Sequence, residues 1–62
     1  MKFSELVRRL EDDGWYVSRK GKGSCRIYRH LNKPGQITVH YHPNKEVKSG
    51  TAIDTLKAAG LA

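Results

Sequence analysis

The spacing of apolar residues changes at Gly14, and this change limits the folds open to the chain. Before Gly14, the apolar residues recur at positions i, i+3, i+4 and i+7 of one helical face: Phe3, Leu6, Val7 and Leu10. From Trp15 onward they alternate instead, which is typical of strands. We therefore predict a helix over about Ser4–Asp13, with Ser4 as its N-cap and Gly14 in the left-handed position that ends it.

Three strands are predicted after this helix. Trp15–Arg19 and Ser24–His30 flank a four-residue turn, Lys20–Gly23, and so form a hairpin. A second turn contains the strong stop signal Pro34-Gly35, and Gln36–His42 follows it as the clearest strand of the chain. The pattern therefore predicts an antiparallel sheet of three strands.

A second helix is predicted at the end of the chain, after a polar connection over Pro43–Gly50. Thr51 and Asp54 resemble a capping box, and Gly60 ends the helix. Its expected buried stripe consists of Ile53, Leu56 and Ala59. Neither helix is long enough to be stable alone, so we expect both to pack on one face of the sheet. The predicted fold class is α+β, in the order α-β-β-β-α, as a single domain over residues 1–62 with the opposite sheet face free for a ligand.

Charge restricts the partners. Twelve Lys and Arg residues stand against six Asp and Glu residues, a formal net charge of +6. Such an excess on a small domain indicates an acidic partner: nucleic acid, an acidic protein or an anionic membrane. We find no signal sequence and no apolar run that approaches a membrane span, and a single cysteine excludes an internal disulfide. We therefore expect a cytoplasmic protein without a membrane partner.

The stretch Lys20–His30 is the best candidate for binding a polyanion. Gly23 and Ser24 allow the backbone to approach a phosphate closely, and the cations around them neutralise its charge. The candidate phosphate contacts are Lys20, Lys22, Arg26 and Arg29, with Lys45 and Lys48 as a second cluster. Four such contacts predict that affinity for RNA falls steeply with salt.

The histidines His30, His40 and His42 do not form a convincing metal site. His40 and His42 share one face of the predicted third strand, but no carboxylate or cysteine accompanies them at a typical ligand spacing. We expect solvated or RNA-facing imidazoles, and we predict neither a metal nor a small-molecule cofactor. His40 carries little weight in this interpretation.

Over nearly its whole length the chain resembles the HicA-like (YcfA-like) toxin family, whose fold is that of double-stranded-RNA-binding domains. The matching motifs, in order, are Met1-Lys2-Phe3-Ser4-Glu5-Leu6, Gly14-Trp15, Gly23-Ser24-Cys25-Arg26-Ile27-Tyr28-Arg29-His30, Ile37-Thr38-Val39 with His42, Lys48-Ser49-Gly50-Thr51, and Leu56-Lys57-Ala58-Ala59-Gly60-Leu61. The resemblance implies a metal-independent endoribonuclease that cuts mRNA, arrests translation and is neutralised by a HicB-type antitoxin. It also implies that His42 supports the active face.

Cys25 is the one serious departure from the family pattern, which has its catalytic histidine directly after Gly-Ser. Imidazole suits the removal of a proton from a 2′-hydroxyl because its ordinary pKa is about 6.5, whereas that of a cysteine thiol is about 8.5. Our hypothesis is that the chain keeps the toxin fold with reduced or absent activity. From the residue alone, a small buried hydrophobic side chain is the competing interpretation of Cys25.

Two other functions stay open at this point. The chain is alternatively a non-catalytic RNA-binding module of the same fold, or an interaction protein whose basic face docks an acidic antitoxin. Trp15 and Tyr41 are candidates for stacking on bases, although we favour a place in the core for both.

Overall fold

The computed structural model describes residues 1–62 and has the predicted element order. Its elements are α1 (Phe3–Asp13), β1 (Trp15–Lys20), β2 (Cys25–His30), β3 (Ile37–His40) and α2 (Ser49–Ala58). The three strands form one antiparallel sheet in the order β1-β2-β3. The predicted α+β class and the α-β-β-β-α order are confirmed.

α1 begins earlier than predicted. Its N-cap is Lys2, so Ser4 lies inside the first turn and does not cap the helix. The start is instead fixed by pairing, because Lys2 forms an isolated antiparallel bridge with Glu46 and the Phe3 N–H donates to the Lys45 carbonyl at 3.0 Å. The prediction for the other end is confirmed, since Gly14 has φ 109° in the left-handed region.

The core lies between α1 and one face of the sheet. Leu10, Trp15 and Tyr28 are almost completely buried there. They belong to a cluster that also contains Val7, Ile37, Val39 and Ala59. The burial of Trp15 confirms that it belongs to the core, and Tyr41 packs half-buried at the margin of the cluster.

α2 differs from its predicted form. It begins at Ser49 after an N-cap at Lys48, so Thr51 and Asp54 lie within the helix and do not form a capping box. Ile53 is 49% exposed, and the buried positions are Ala52 and Leu56. Of the predicted stripe, Leu56 and Ala59 are buried as expected, whereas Ile53 is not and Ala52 is buried in its place.

The buried positions of α2 belong to a second small core. Leu6 of α1 clusters with Ala52, Leu56 and Val47. Val47 lies in the connection that we expected to be polar, yet it is 6% exposed, and its N–H donates to the Met1 carbonyl at 2.9 Å. The connection is thus part of the folded body, and Val47 contributes to the core.

The strands also depart from simple alternation. Val17 pairs with Tyr28 and Arg19 with Ile27, so a β-bulge interrupts the register between Val17 and Arg19. Because of the extra residue, Arg19 shifts to the sheet face opposite the helices. β1 extends to Lys20, and β3 ends at His40, two residues before its predicted end.

Candidate functional site

Cys25 is the first residue of β2 and lies directly after the turn that joins β1 to β2. Its side chain is half-buried and its thiol is free. The Cys25 N–H donates to the Lys22 carbonyl at 3.2 Å, and the Cys25 carbonyl accepts the Gly21 N–H at 2.9 Å. A Cβ on Gly21 would lie 3.0 Å from Cys25 Sγ, so the sulfur packs against the backbone of the turn. The turn therefore fixes the position of residue 25 at one end of the sheet.

His40 is the cross-strand partner of Cys25. The next pair toward the turn is hydrogen-bonded, because the Tyr41 N–H donates to the Ser24 carbonyl at 2.8 Å. Paired residues alternate between hydrogen-bonded and non-hydrogen-bonded sites, so Cys25 and His40 form a non-hydrogen-bonded pair with Cβ atoms about 4.5–5.5 Å apart. The structure thus places an exposed imidazole beside residue 25. Only the β2–β3 register could have identified it, since the strand pattern alone gives His40 no special role.

The sheet face opposite the helices carries Cys25 and His40. No residue on this face is fully buried, which leaves the surface open to a ligand. Arg19 is exposed and shares the face with them as a consequence of the β-bulge. Sequence reasoning missed Arg19, because strict alternation would have put it on the same face as Trp15.

The cations predicted around Cys25 divide between two faces and the turn. Lys22 lies in the turn with Gly23, and both are exposed, whereas Ser24 is half-buried next to Cys25. Lys20 pairs with Arg26, and this register puts both residues on the face that carries the helices. Lys22, in the turn, is thus the predicted lysine nearest to Cys25 along the chain. Lys20 lies on the opposite face of the sheet from Cys25.

Arg26 is half-buried, and its guanidinium carbon lies 4.1 Å from the centre of the Tyr41 ring. This cation–π contact holds the side chain at the margin of the core. The neighbouring Tyr28 hydroxyl is buried and makes no hydrogen bond. Burial raises the pKa of Tyr28 above 10.0, and the nearby Arg26 guanidinium opposes this shift.

The remaining predicted contacts spread outward from Cys25. Arg29 is exposed on the same face but lies four residues along β2, about 14 Å away. His42 is exposed and meets the ring of Phe3 edge-on, with the ring centres 6.0 Å apart. Lys45 lies in the following turn and Lys48 caps α2, both exposed. The structure therefore groups residues 20–25 with His42 at one end of the sheet and separates Arg29 from them.

The cations of this surface are not neutralised within the chain. The ion pairs join Glu46 to the N-terminal ammonium group, and Asp13 to Lys33 and His30. No lysine or arginine between residues 19 and 29 takes part in one. Their charges are therefore available to an anionic ligand.

His30 has a structural place, contrary to the expectation of a solvated or RNA-facing imidazole. Its side chain is 8% exposed and packs edge-on against Trp15 with ring centres 5.3 Å apart. The Asn32 N–H donates to Nδ1 at 2.9 Å, so Nε2 carries the hydrogen and donates to the Asp13 carbonyl at 2.6 Å. His30 thus ties the end of β2 to the end of α1.

No group of three or more His, Cys, Asp and Glu residues lies close enough together to hold a metal ion. One cavity of about 110 Å³ lies between β3 and the two helices, bordered by residues that include Phe3, His40, Thr51 and Thr55. Cofactor pockets commonly occupy about 300–1,000 Å³, so this cavity is too small for one. Neither helix has the length and apolar composition needed to cross a membrane.

Comparison with known protein families gives one result that agrees with this geometry. A search of curated proteins produced no match. A family model for the HicA toxin of bacterial toxin–antitoxin pairs matches residues 3–61, from the first residue of α1 to the penultimate residue of the chain. The match includes the β1–β2 hairpin, Cys25 and the whole basic surface. The chain therefore belongs to the HicA toxin family of bacterial toxin–antitoxin systems, and this membership implies an antitoxin as its partner.

Proposed function

We propose that this protein, as one toxin domain over residues 1–62, is a metal-independent endoribonuclease that cleaves mRNA in the cytoplasm and so inhibits translation. The observation that carries the proposal is the position of residue 25 in a HicA toxin. It follows Gly23-Ser24 at an open end of the sheet, among cations that no carboxylate neutralises. An RNA phosphate is the anion that this surface suits best.

The proposed reaction needs a base and an anion-binding surface. A base removes the proton of the 2′-hydroxyl, the 2′-oxygen attacks the adjacent phosphorus, and the bond from phosphorus to the 5′-oxygen breaks. Positive charges and N–H donors stabilise the charge that develops on the phosphoryl oxygens. Lys22 and the backbone of Gly23 and Ser24 are best placed for this task.

The other cations extend the binding surface along the RNA. Arg19 and Arg29 share the face of Cys25, and Lys20 and Arg26 flank the hairpin on its other face. His42, Lys45 and Lys48 continue the surface beyond β3. Contacts of this kind position the strand and carry little sequence information.

Cys25 lowers the rate of cleavage that we expect from this chain. It occupies the position of the family's histidine, and a thiol is a poorer base than an imidazole at neutral pH. We therefore propose that the chain cleaves RNA more slowly than its Cys25→His form. The antitoxin that membership implies is proposed to be of the HicB type and to cover this face.

The test compares the purified chain with Cys25→His on a labelled mRNA in the presence of a chelator. The proposal expects cleavage in both proteins, with the faster rate in Cys25→His, and arrested growth on expression that a co-expressed HicB-type antitoxin relieves. Equal rates would show that residue 25 is not catalytic. Failure of both proteins to cut any RNA would refute the enzymatic function.

The second candidate function is a non-catalytic RNA-binding module. The specific observation in its favour is Cys25 itself, a free thiol in place of the catalytic imidazole. This function predicts salt-dependent RNA binding without cleavage or toxicity, even after Cys25→His restores the imidazole.

A further inference from the structure

The pairing of Cys25 with His40 supplies this site with an imidazole from a different strand. The two residues are cross-strand partners at a non-hydrogen-bonded site, where facing side chains are closest. His40 is exposed on the sheet face that carries residue 25. Its Cβ atom therefore lies about 4.5–5.5 Å from that of residue 25.

Cys25 does not cover the exposed side chain of His40. Cys25 Sγ packs toward Gly21, on the side of β2 that faces β1, whereas His40 approaches from β3. The thiol is also much smaller than an imidazole. A phosphate held by Lys22 and the turn backbone can therefore lie over Cys25 and still be reached by His40.

Among the three histidines, His40 is the one that pairs directly with Cys25 across the strands. Both ring nitrogens of His30 are occupied, and the ring of His42 packs edge-on against Phe3. His40 makes no side-chain hydrogen bond and no ion pair. Its imidazole is thus free to exchange a proton with a ligand.

We propose that His40 is the general base of this toxin and takes over the role that a histidine at position 25 has in the family pattern. The inference rests on the proposed ribonuclease function. Neutral His40 accepts the proton of the 2′-hydroxyl, and the 2′-oxygen forms a bond to phosphorus. The bond to the 5′-oxygen breaks, and that oxygen takes a proton from water, giving a 2′,3′-cyclic phosphate and a 5′-hydroxyl. His40 returns its proton to solvent.

The test crosses His40→Gln with Cys25→His in four proteins, measured by single-turnover cleavage of one labelled RNA. In the natural chain, His40→Gln is expected to lower the cleavage rate by about 10²- to 10⁴-fold, the range for loss of a general base. In the Cys25→His background the same substitution is expected to change the rate by less than about threefold, because residue 25 then supplies the imidazole. RNA binding at fixed salt and the urea midpoint monitor affinity and folding in all four proteins.

The pH profile is a second readout, which a merely structural role of His40 would not move. If His40 is the base, His40→Gln should change the shape of the pH–rate profile of cleavage, whereas loss of a merely structural residue should lower the rate by the same factor at every pH. The titratable and charged groups that share this face are Cys25 and Arg29 on β2 and Tyr16 and Arg19 on β1, with Lys22 in the adjacent turn.

Each outcome separates the inference from the function on which it rests. If Cys25→His cleaves and the natural chain does not, His40 does not act as the base and the inference is overturned. Equal losses from His40→Gln in both backgrounds would overturn it as well, because they would indicate a role in binding or folding. If none of the four proteins cleaves RNA, the ribonuclease function itself fails and the inference fails with it.

Discussion

Gly14 and His30 approach each other so closely that a Cβ on Gly14 would lie 2.8 Å from Nε2 of His30. Gly14 also has φ 109°, a backbone conformation that residues with a side chain rarely adopt. The contact brings the end of α1 against the end of β2, where His30 Nε2 donates to the Asp13 carbonyl. The glycine that ends the first helix therefore also sets how that helix meets the sheet.

Gly14→Ala is expected to lower the free energy of unfolding by roughly 2–4 kcal/mol, from left-handed strain and the clash with His30. Gly35→Ala is the matched control, since Gly35 has φ 81° but nothing within 4 Å of an added Cβ. It should lose only about 1 kcal/mol, the part due to backbone strain. Urea unfolding followed by Trp15 fluorescence measures both, and equal losses would show that the His30 contact does not matter.

The ion pair between Lys33 and Asp13 makes the stability of the protein depend on pH in the acid range. Lys33 Nζ donates to Asp13 Oδ2 at 2.6 Å and to the Ala59 carbonyl at 2.9 Å. The hydrogen bond from Lys33 holds the pKa of Asp13 below its ordinary value of 3.8. A carboxyl group whose pKa is lowered on folding stabilises the protein above its unfolded pKa, and this contribution is lost as pH falls through the folded value.

Urea midpoints should therefore fall as pH decreases below about 4, and Lys33→Met should flatten this part of the profile. The variant is also expected to be less stable at pH 7, because Ala59 loses a donor. Asp54→Asn, at an exposed carboxylate outside any ion pair, should leave the profile unchanged. An acid slope that is the same in Lys33→Met and the natural chain would contradict the prediction.

Tyr28→Phe is expected to leave stability at pH 7 unchanged or to raise it by up to about 1 kcal/mol, because the buried hydroxyl has no hydrogen-bond partner to lose. The raised pKa of Tyr28 adds a prediction at alkaline pH. Its contribution to stability is present below the ordinary value of 10.0 and is lost as pH rises above it. Thermal unfolding between pH 7 and about 11 should show a smaller alkaline loss in Tyr28→Phe than in the natural chain. A destabilised variant at pH 7 would indicate that the hydroxyl does have a partner.

RNA binding should weaken steeply with salt if the basic surface contacts phosphates. Four contacts predict a log–log slope of roughly −3 to −4 for affinity against salt concentration, and Arg19→Gln or Lys22→Gln should each make it shallower by about 0.7–0.9. Arg8→Gln, on the exposed side of α1, has the same change in net charge and should leave the slope nearly unaltered. Fluorescence anisotropy with a short labelled RNA measures all four proteins, and a flat salt response would exclude the electrostatic interface.

Substitutions at Val47 and Ile53 test which of the two residues belongs to the second core. Val47→Ala should reduce the free energy of unfolding by roughly 1–3 kcal/mol, since Val47 is 6% exposed and packs among Leu6, Ala52 and Leu56. Ile53→Ala should cost less than about 1 kcal/mol, because Ile53 is 49% exposed. A lower urea midpoint for Ile53→Ala than for Val47→Ala would contradict the burial of Val47 and the exposure of Ile53.

Local patterns in the sequence determined the order of the secondary-structure elements and most of the core. The apolar spacing around Leu6 and Leu10, the stop at Gly14 and the alternation at Ile37 and Val39 predicted the element order and most of the core. These signals can be seen in the sequence because each depends on neighbours within one turn of helix or one strand. Short motifs in order along the chain, including the one around Cys25, were together sufficient to indicate the HicA family.

Tertiary structure decided what depends on contacts between distant segments. Nothing near Val47 in the sequence indicates its burial, which Leu6 and Leu56 provide from two helices. The bulge that brings Arg19 to the open face and the register that pairs Cys25 with His40 are properties of strand pairing. A one-residue change of register moves every later side chain to the other face of the sheet, so a local pattern cannot determine which residues meet there. The sequence therefore determined the fold and pointed to Cys25 as the centre of the candidate site, and the folded sheet determined which histidine is its cross-strand partner.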